Sequence, residues 1–175
     1  MPEKRRIFVY TGDGKGKTTA ALGRGLGPIS RGLKVYMVQF LKRPNTSGEH
    51  FVPAALSSLF TIKPMGRGRF IANRPSEPED RVMGQLALKQ ARNAMLSGEY
   101  ATVILDEATA AVRKKVIDLP QLLDFMASKP EGVELVITGR HAPSDIIRVA
   151  DVVIEMKKIR HHFDKGCKAR KGIDY

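Results

Sequence analysis

Apolar residues along this chain fall into short β-prone runs, separated by segments whose apolar positions recur at helical spacing. Ile7-Phe8-Val9-Tyr10 is the first run and predicts a central, buried strand. An Ala- and Leu-rich segment from Lys17 to Arg31 predicts a helix stopped by Gly32, with Pro28 expected to kink it or end it near Gly27. Leu33 to Phe40 reads as a second strand, leaving through the polar loop Lys42 to Gly48. Glu49 to Leu56 has helical character despite Pro53, and Leu59 to Ile62 reads as a short strand. The basic, glycine-rich stretch from Lys63 to Phe70 predicts no regular structure, and is either a solvated connection or a loop that closes over ligand. Pro78 to Leu96 predicts the longest helix, with Met83, Ala87, Ala91 and Ala94 on one face, Val82 and Leu86 beside them, and Gly98 as the stop. Ala101 to Leu105 reads as a β-branched strand, apolar apart from Thr102, ending at Asp106-Glu107. Asp118 caps a helix opened by Leu119-Pro120. Val133 to Thr138 is a strand running into Gly139-Arg140, Pro143 to Ala150 a short helix, and Val152 to Met156 a last strand.

Strand and helix alternate, which argues for an α/β fold with a mostly parallel sheet and helices on both faces. Continuously apolar strands such as Val103-Ile104-Leu105 fit a sheet covered on both sides. No internal repeat or low-complexity tract interrupts the pattern. In such folds binding residues gather at the carboxyl ends of strands. The loop after the first strand, the Lys42 loop, Asp106-Glu107 and Gly139-Arg140 all hold that position and are expected to meet on one rim.

The first of these loops carries the strongest chemistry. Thr11-Gly12-Asp13-Gly14-Lys15-Gly16-Lys17-Thr18-Thr19 lies between a strand and a helix, the setting of a phosphate-binding loop. Glycines let backbone N–H groups surround an anion, and the helix adds its positive end. Lys17 is placed to reach the phosphates and the Thr18 hydroxyl to ligate magnesium. Thr11 stands where the general pattern has a glycine; the bland alternative is a glycine-rich turn with an accidental Gly-Lys-Thr. Asp106-Glu107, after an apolar strand, has the form of the matching magnesium-side acidic pair. Either carboxylate can be the direct ligand.

Composition narrows the class. The 175 residues suit one domain spanning 1–175, with an ordinary apolar fraction of 42%. No run is long enough for a membrane helix, and the charged start Met1 to Arg6 is followed by no apolar block of a secretory signal. Cys167, the sole cysteine, excludes an intramolecular disulfide and reads as a packing residue rather than a redox thiol, which suits a cytoplasmic location. The formal charge of +12 suggests anionic partners or simple solubility. Much of that charge sits from Lys157 onward, where Gly166 and Gly172 suggest defined turns. His161-His162 has no acidic or cysteine cluster around it in sequence and is not read as a metal site.

Several segments together resemble the ATP:corrinoid adenosyltransferase family. They are Tyr10 to Ala21, Val38 to Lys42, Gly48-Glu49, Leu105-Asp106-Glu107, Ile137 to Arg140, and the ending Arg160 to Tyr175 with its Phe-Asp-x-Gly-x-x-Ala-x-x-Gly-Ile-Asp-Tyr pattern. The resemblance covers nearly the whole chain, and in this family Thr11 is no anomaly. It implies a RecA-like phosphate-loop fold, a homodimer, ATP with Mg²⁺, and a corrinoid substrate supplied with electrons by a flavoprotein. The implied reaction moves the 5′-deoxyadenosyl group of ATP onto Co(I) and releases triphosphate, with ATP reversed in the loop, in adenosylcobalamin biosynthesis or salvage. It makes Thr11 to Thr19, Lys42 and Arg140 the nucleotide contacts and Phe70 a corrinoid contact. Lys17, Thr18 and Glu107 become the catalytic set, and Thr18, Asp106 and Glu107 the metal set. The basic tail 157–175 is expected to pack over the active site. Two departures stand out: only six residues precede the first strand where members often carry a longer arm, and Phe70 stands alone where members carry a Phe-x-Trp pair. Competing readings are a RecA-like nucleic-acid-dependent ATPase, which the basic surface suggests, and a small-molecule kinase. The tail pattern and the lack of interleaved aromatics speak against a nucleic-acid partner.

Overall fold

The computed structural model describes residues 6–51, 58–67 and 75–160. The elements run β1 (Ile7–Thr11), α1 (Lys17–Ser30), β2 (Lys34–Gln39), a 3-10 turn (Gly48–Phe51), β3 (Phe60–Pro64), α2 (Pro78–Leu96), β4 (Tyr100–Asp106), α3 (Ala108–Arg113), α4 (Leu119–Ala127), β5 (Glu134–Thr138), α5 (Ser144–Val149) and β6 (Val152–Glu155). The strands form one six-stranded sheet in the order β3-β2-β4-β5-β1-β6, and every pairing is parallel. This is an α/β fold of the RecA-like phosphate-loop type, with β5 inserted between the loop-bearing β1 and the acidic β4.

Alternation along each strand divides the core. Phe8, Tyr10, Val35, Met37, Ile104 and Val136 face α1 and pack on its Ala21 and Ile29. Val9, Val38, Val103, Leu105, Leu135 and Ile137 face the other side, against Ala87, Ala91 and Met95 of α2 and Leu122 and Phe125 of α4. A sheet covered on both faces has no solvent side, which is why its strands are apolar at successive positions. Each large side chain so buried contributes roughly 1.5–3 kcal/mol.

Local signals account for most boundaries. Helix α2 starts with Pro78 behind a capping box between Glu77 and Asp80, and α4 starts with a box between Asp118 and Gln121. Pro28 does not stop α1 at Gly27. The helix runs on to Ser30, because its missing N–H is tolerated in the last turn and its carbonyl is used. Leu33 N–H donates to Pro28 O at 3.0 Å and Gly32 N–H to Ile29 O at 2.9 Å, with Gly32 at φ 72°, a Schellman ending.

Three expectations change. β1 is interior and buried along its length but lies one strand from the edge rather than at the centre, which β4 and β5 occupy. Val82 and Leu86 are 66% and 41% exposed, so the buried stripe of α2 is narrower, made of Gly84, Ala87, Ala91 and Ala94 with Leu88 and Met95. Helix α3, packed directly after Asp106-Glu107, was not foreseen. Of the expected helix at Glu49 to Leu56, the described part is a 3-10 turn, and the remainder lies outside the described residues.

Candidate functional site

The loop after β1 is shaped by glycines and held by Met156, the residue that follows β6. Gly12 and Gly16 have φ of 93° and 107°, which side-chain-bearing residues rarely adopt. A Cβ on Gly12 would lie 2.4 Å from the carbonyl oxygen of Met156, and one on Gly14 2.8 Å from the same atom. That closeness permits two hydrogen bonds: Gly14 N–H to Met156 O at 2.7 Å and Met156 N–H to Thr11 O at 2.8 Å. Thr11 is buried, and its Oγ1 accepts the N–H of Ala142 at 3.1 Å. A glycine could not tie the loop to the segment after β5 in this way, which accounts for the threonine.

Lys17, at the start of α1 and 6% exposed, folds back into its own loop. Its Nζ donates to Gly12 O at 2.8 Å and Gly14 O at 2.6 Å. Lys15, Gly16 and Thr19 are exposed on the same turn. Asp13 is also exposed, with Oδ1 3.5 Å from Nε2 of His141.

Across the rim, β2, β4 and β5 end in a cluster of side chains. Asp106 is fully buried and accepts four donors, close to the capacity of a carboxylate. Thr18 Oγ1 and Thr138 Oγ1 donate to its Oδ1 at 2.8 and 2.7 Å. Gln39 Nε2 and Lys42 Nζ meet Oδ2 at 2.9 and 3.2 Å. Thr138 also accepts the N–H of Glu107 at 3.0 Å, so one hydroxyl from the intervening strand positions both members of the acidic pair. Glu107 sits in the left-handed region at φ 60°, a costly conformation for a residue with a side chain. Lys42 and Gln39 both donate to Glu49 Oε1, at 2.5 and 3.0 Å, and His50 Nε2 lies 2.6 Å from Gln39 Oε1.

Burial and charge shift these groups in opposite directions. Burial, with help from Arg140, pulls the Lys17 ammonium below its ordinary value, against Glu107, Asp13 and Asp106. Burial and then Asp106 push Glu107 above the ordinary carboxylate value, opposed by Lys17, Lys42 and Arg140. Burial opposes the charges of Lys42 and Glu49 as well, but it is outweighed: Asp106 and then Glu49 hold the Lys42 ammonium up, and Lys42 and then Gln39 hold the Glu49 carboxyl down. Burial, reinforced by Lys42, also lowers His50.

Among the described residues no group of three or more His, Cys, Asp and Glu side chains is arranged for a metal, and none hydrogen-bonds the Glu107 carboxylate. The Thr18 hydroxyl and the Glu107 and Asp106 carboxylates are nonetheless hard oxygen donors on one rim. An extra cation would relieve the repulsion within the acidic pair. That donor set fits magnesium.

The structure therefore brings Thr11 to Thr19, Asp106, Glu107 and Lys42 together. Lys42 joins through Glu49 and Asp106 rather than standing open toward the loop. Arg140 is exposed, with its carbonyl accepting Thr109 Oγ1 at 3.0 Å and its charge felt at Lys17 and Glu107. Phe70, His161, His162, Cys167 and the tail 161–175 lie outside the described residues. Sequence reasoning assigned no role to Gln39, Glu49, His50, Thr138 or Met156. Gln39 and Thr138 carried a usable signal, since each is a polar residue that closes an apolar run at the carboxyl end of its strand. No described helix is long and apolar enough to cross a membrane.

Comparison with known proteins agrees over the full length. The family model described as "ATP:corrinoid adenosyltransferase BtuR/CobO/CobP" matches residues 3–175. A Corrinoid adenosyltransferase of Sinorhizobium sp is 34% identical over 99% of this chain and 81% of its own length. The Corrinoid adenosyltransferase of Escherichia coli (strain K12) is 34% identical over 99% of this chain and 87% of its own. Corrinoid adenosyltransferase CobA of Salmonella typhimurium is 33% identical over 99% of this chain and 87% of its own.

Proposed function

The chain belongs to the ATP:corrinoid adenosyltransferase family of transferases, and from that membership we propose that it moves the 5′-deoxyadenosyl group of ATP onto Co(I) of a reduced corrinoid, releasing triphosphate. The observation that carries this reading is a glycine loop closed on its own buried lysine and faced by a saturated aspartate, in a chain that matches the family from residue 3 to 175. In the reaction the cobalt electron pair attacks C5′, the C5′–O bond breaks, and the triphosphate leaves with that bonding pair while cobalt becomes formally Co(III). Cobalt is the nucleophile, so no side chain has to attack or form a covalent intermediate. What remains for the protein is alignment and stabilisation of the leaving group.

Residues 11–19 would hold the triphosphate. Lys17 would exchange the carbonyls of Gly12 and Gly14 for phosphate oxygens, with its ammonium already desolvated. Lys15 and Arg140 add positive charge from the exposed side of the loop. Thr18 and Glu107 would hold Mg²⁺, with Asp106 fixing Thr18 from behind. Bound there, the ion supplies charge that stabilises the triphosphate. Glu107 is the better direct ligand, because Asp106 would have to release one of its four donors. Phe70 and the tail 157–175 are assigned to the corrinoid side of the site. The chain acts as one domain and as a homodimer in the cytoplasm, with a flavoprotein as reductant.

Product analysis tests the reaction. With ATP, Mg²⁺ and chemically reduced corrinoid, triphosphate and a light-sensitive adenosylcorrinoid are expected. ADP and phosphate with no adenosylcorrinoid would overturn the assignment.

A further inference from the structure

His50 lies on the short turn Gly48–Phe51, away from the phosphate loop, yet its ring is joined to the acidic cluster by a short hydrogen bond. The direction of that bond follows from its neighbours. The amide nitrogen of Gln39 faces two carboxylate oxygens, Asp106 Oδ2 at 2.9 Å and Glu49 Oε1 at 3.0 Å. Lys42 Nζ donates to that Glu49 oxygen and lies 3.2 Å from that Asp106 oxygen, so both face an ammonium as acceptors, and both N–H bonds of the Gln39 amide are used. The end of Gln39 turned toward His50 is therefore the carbonyl. An acceptor there requires a donor on the ring, which makes His50 the Nε2–H tautomer. Its Nδ1 is then a bare lone pair, buried and without a hydrogen-bond partner among the described residues. Protonating that nitrogen would create a buried N–H with no acceptor, beside the Lys42 ammonium; the downward shift of His50 has the same direction.

We propose that His50 is a positioning residue for adenosyl transfer: as the neutral Nε2–H tautomer it fixes the orientation of the Gln39 amide, and through Gln39 the carboxylates of Asp106 and Glu49. The physical need is specific. An amide rotated by half a turn would present its oxygen to two carboxylates, and nothing on Gln39 itself prevents that rotation. Gln39 is fully buried, so neither orientation can be repaired by solvent. With the amide reversed, Asp106 loses one of its four donors and its hold on Thr18 loosens. Glu49 loses its second side-chain donor and keeps Lys42. The inference rests on the reading of this rim as the triphosphate and metal side of the reaction.

Three measurements test it. In ¹⁵N-labelled protein without ligands, long-range ¹H–¹⁵N correlation is expected to show His50 with a protonated Nε2 and a bare Nδ1 at neutral pH. The opposite tautomer, or a solvent-averaged ring, overturns the proposal. In the adenosyltransferase assay His50→Phe, which keeps a ring but removes the donor, is expected to lower kcat roughly 10–100-fold with little change in KM for the corrinoid. His50→Gln, which returns an N–H close to the position of Nε2, is expected to recover most of that loss. Unchanged kcat in His50→Phe overturns the proposal, as does His50→Gln being equally slow while melting like the parent. In a Gln39→Met background His50→Phe is expected to have no further effect, and an undiminished effect overturns the coupling. Should His50→Phe fail to fold, the tautomer and His50→Gln decide. If the parent protein itself makes no adenosylcorrinoid, the functional reading fails, while the tautomer measurement still reports on the network.

Discussion

The glycine loop after β1 and the polar cluster at the ends of β2, β4 and β5 share a rim, but they are built in opposite ways. The loop is made of backbone. Its shape comes from positive φ angles, from the absence of Cβ atoms at Gly12 and Gly14, and from contact with the Met156 backbone. The cluster is made of side chains drawn from three separated segments, the start of α1 and the ends of β2 and β5, all converging on Asp106. Backbone geometry tolerates no substitution at the contact points but needs little support. A side-chain cluster tolerates changes in shape, yet each member depends on its neighbours being correctly paired. The first suits a group that cradles an anion. The second suits one that must hold a carboxylate charged in a buried place.

Substitutions can break or sharpen that contrast. The largest effect is expected from Lys17→Ala, which empties the loop of its one buried cation and should lower turnover by about 10²–10³-fold, as loss of a group that stabilises developing charge does. Steady-state assay of adenosylcorrinoid checks it, and near-normal turnover would place the phosphate site elsewhere.

Gly14→Ala should cost roughly 1–3 kcal/mol in stability, because its Cβ meets the backbone of Met156 and Lys157, which cannot rotate away. Gly23→Ala supplies the control, since nothing lies within 4 Å of its Cβ and it sits inside α1. It should stabilise by roughly 0.5–1 kcal/mol. Denaturant unfolding of the two variants should therefore move in opposite directions. Movement in the same direction would remove the distinction between steric and merely flexible glycines.

The smallest change is expected on the cluster side, in Glu107→Gln without ligands. The folded-state pKa of Glu107 is raised above the unfolded value by burial and Asp106, so the folded protein binds this proton more readily. Between those two values stability falls as pH rises, and at neutral pH the ionised carboxylate is a net burden. Glu107→Gln should then melt higher than the parent near neutrality and lose that advantage below the ordinary carboxylate range. It should also lose activity, because the charge that burdens the empty protein is the one assigned to magnesium. A variant that melts lower at neutral pH would show that Glu107 is stabilised in place.

Much of the fold was legible because it rests on local patterns. The boundaries of α2 follow from Pro78 and Gly98, and the start of α4 from Asp118 and Pro120. The nature of the loop follows from glycine spacing, whose consequences are set within nine residues. Pro28 does not end α1 near Gly27, because its cost depends on its place in the last turn, where a Schellman ending uses its carbonyl. Val82 and Leu86 were misjudged because the width of the buried stripe on α2 is set by the sheet beneath it.

Amino-acid order alone therefore determined the parallel α/β architecture, the loop from Thr11 to Thr19 and the acidic pair at the end of β4, each a matter of periodicity or spacing over a short stretch. Tertiary structure alone decided the strand order that inserts β5 between β1 and β4, and with it the role of Thr138 as the bridge to Asp106 and Glu107. It likewise decided why Thr11 is a threonine, what Lys42 pairs with, and which tautomer His50 must adopt. Hydrogen bonds that reach 31 to 131 positions along the chain, such as the Glu107 N–H to Thr138 Oγ1 and the Ala142 N–H to Thr11 Oγ1, leave no periodic trace in a sequence. They exist only once strands distant along the chain have been laid side by side.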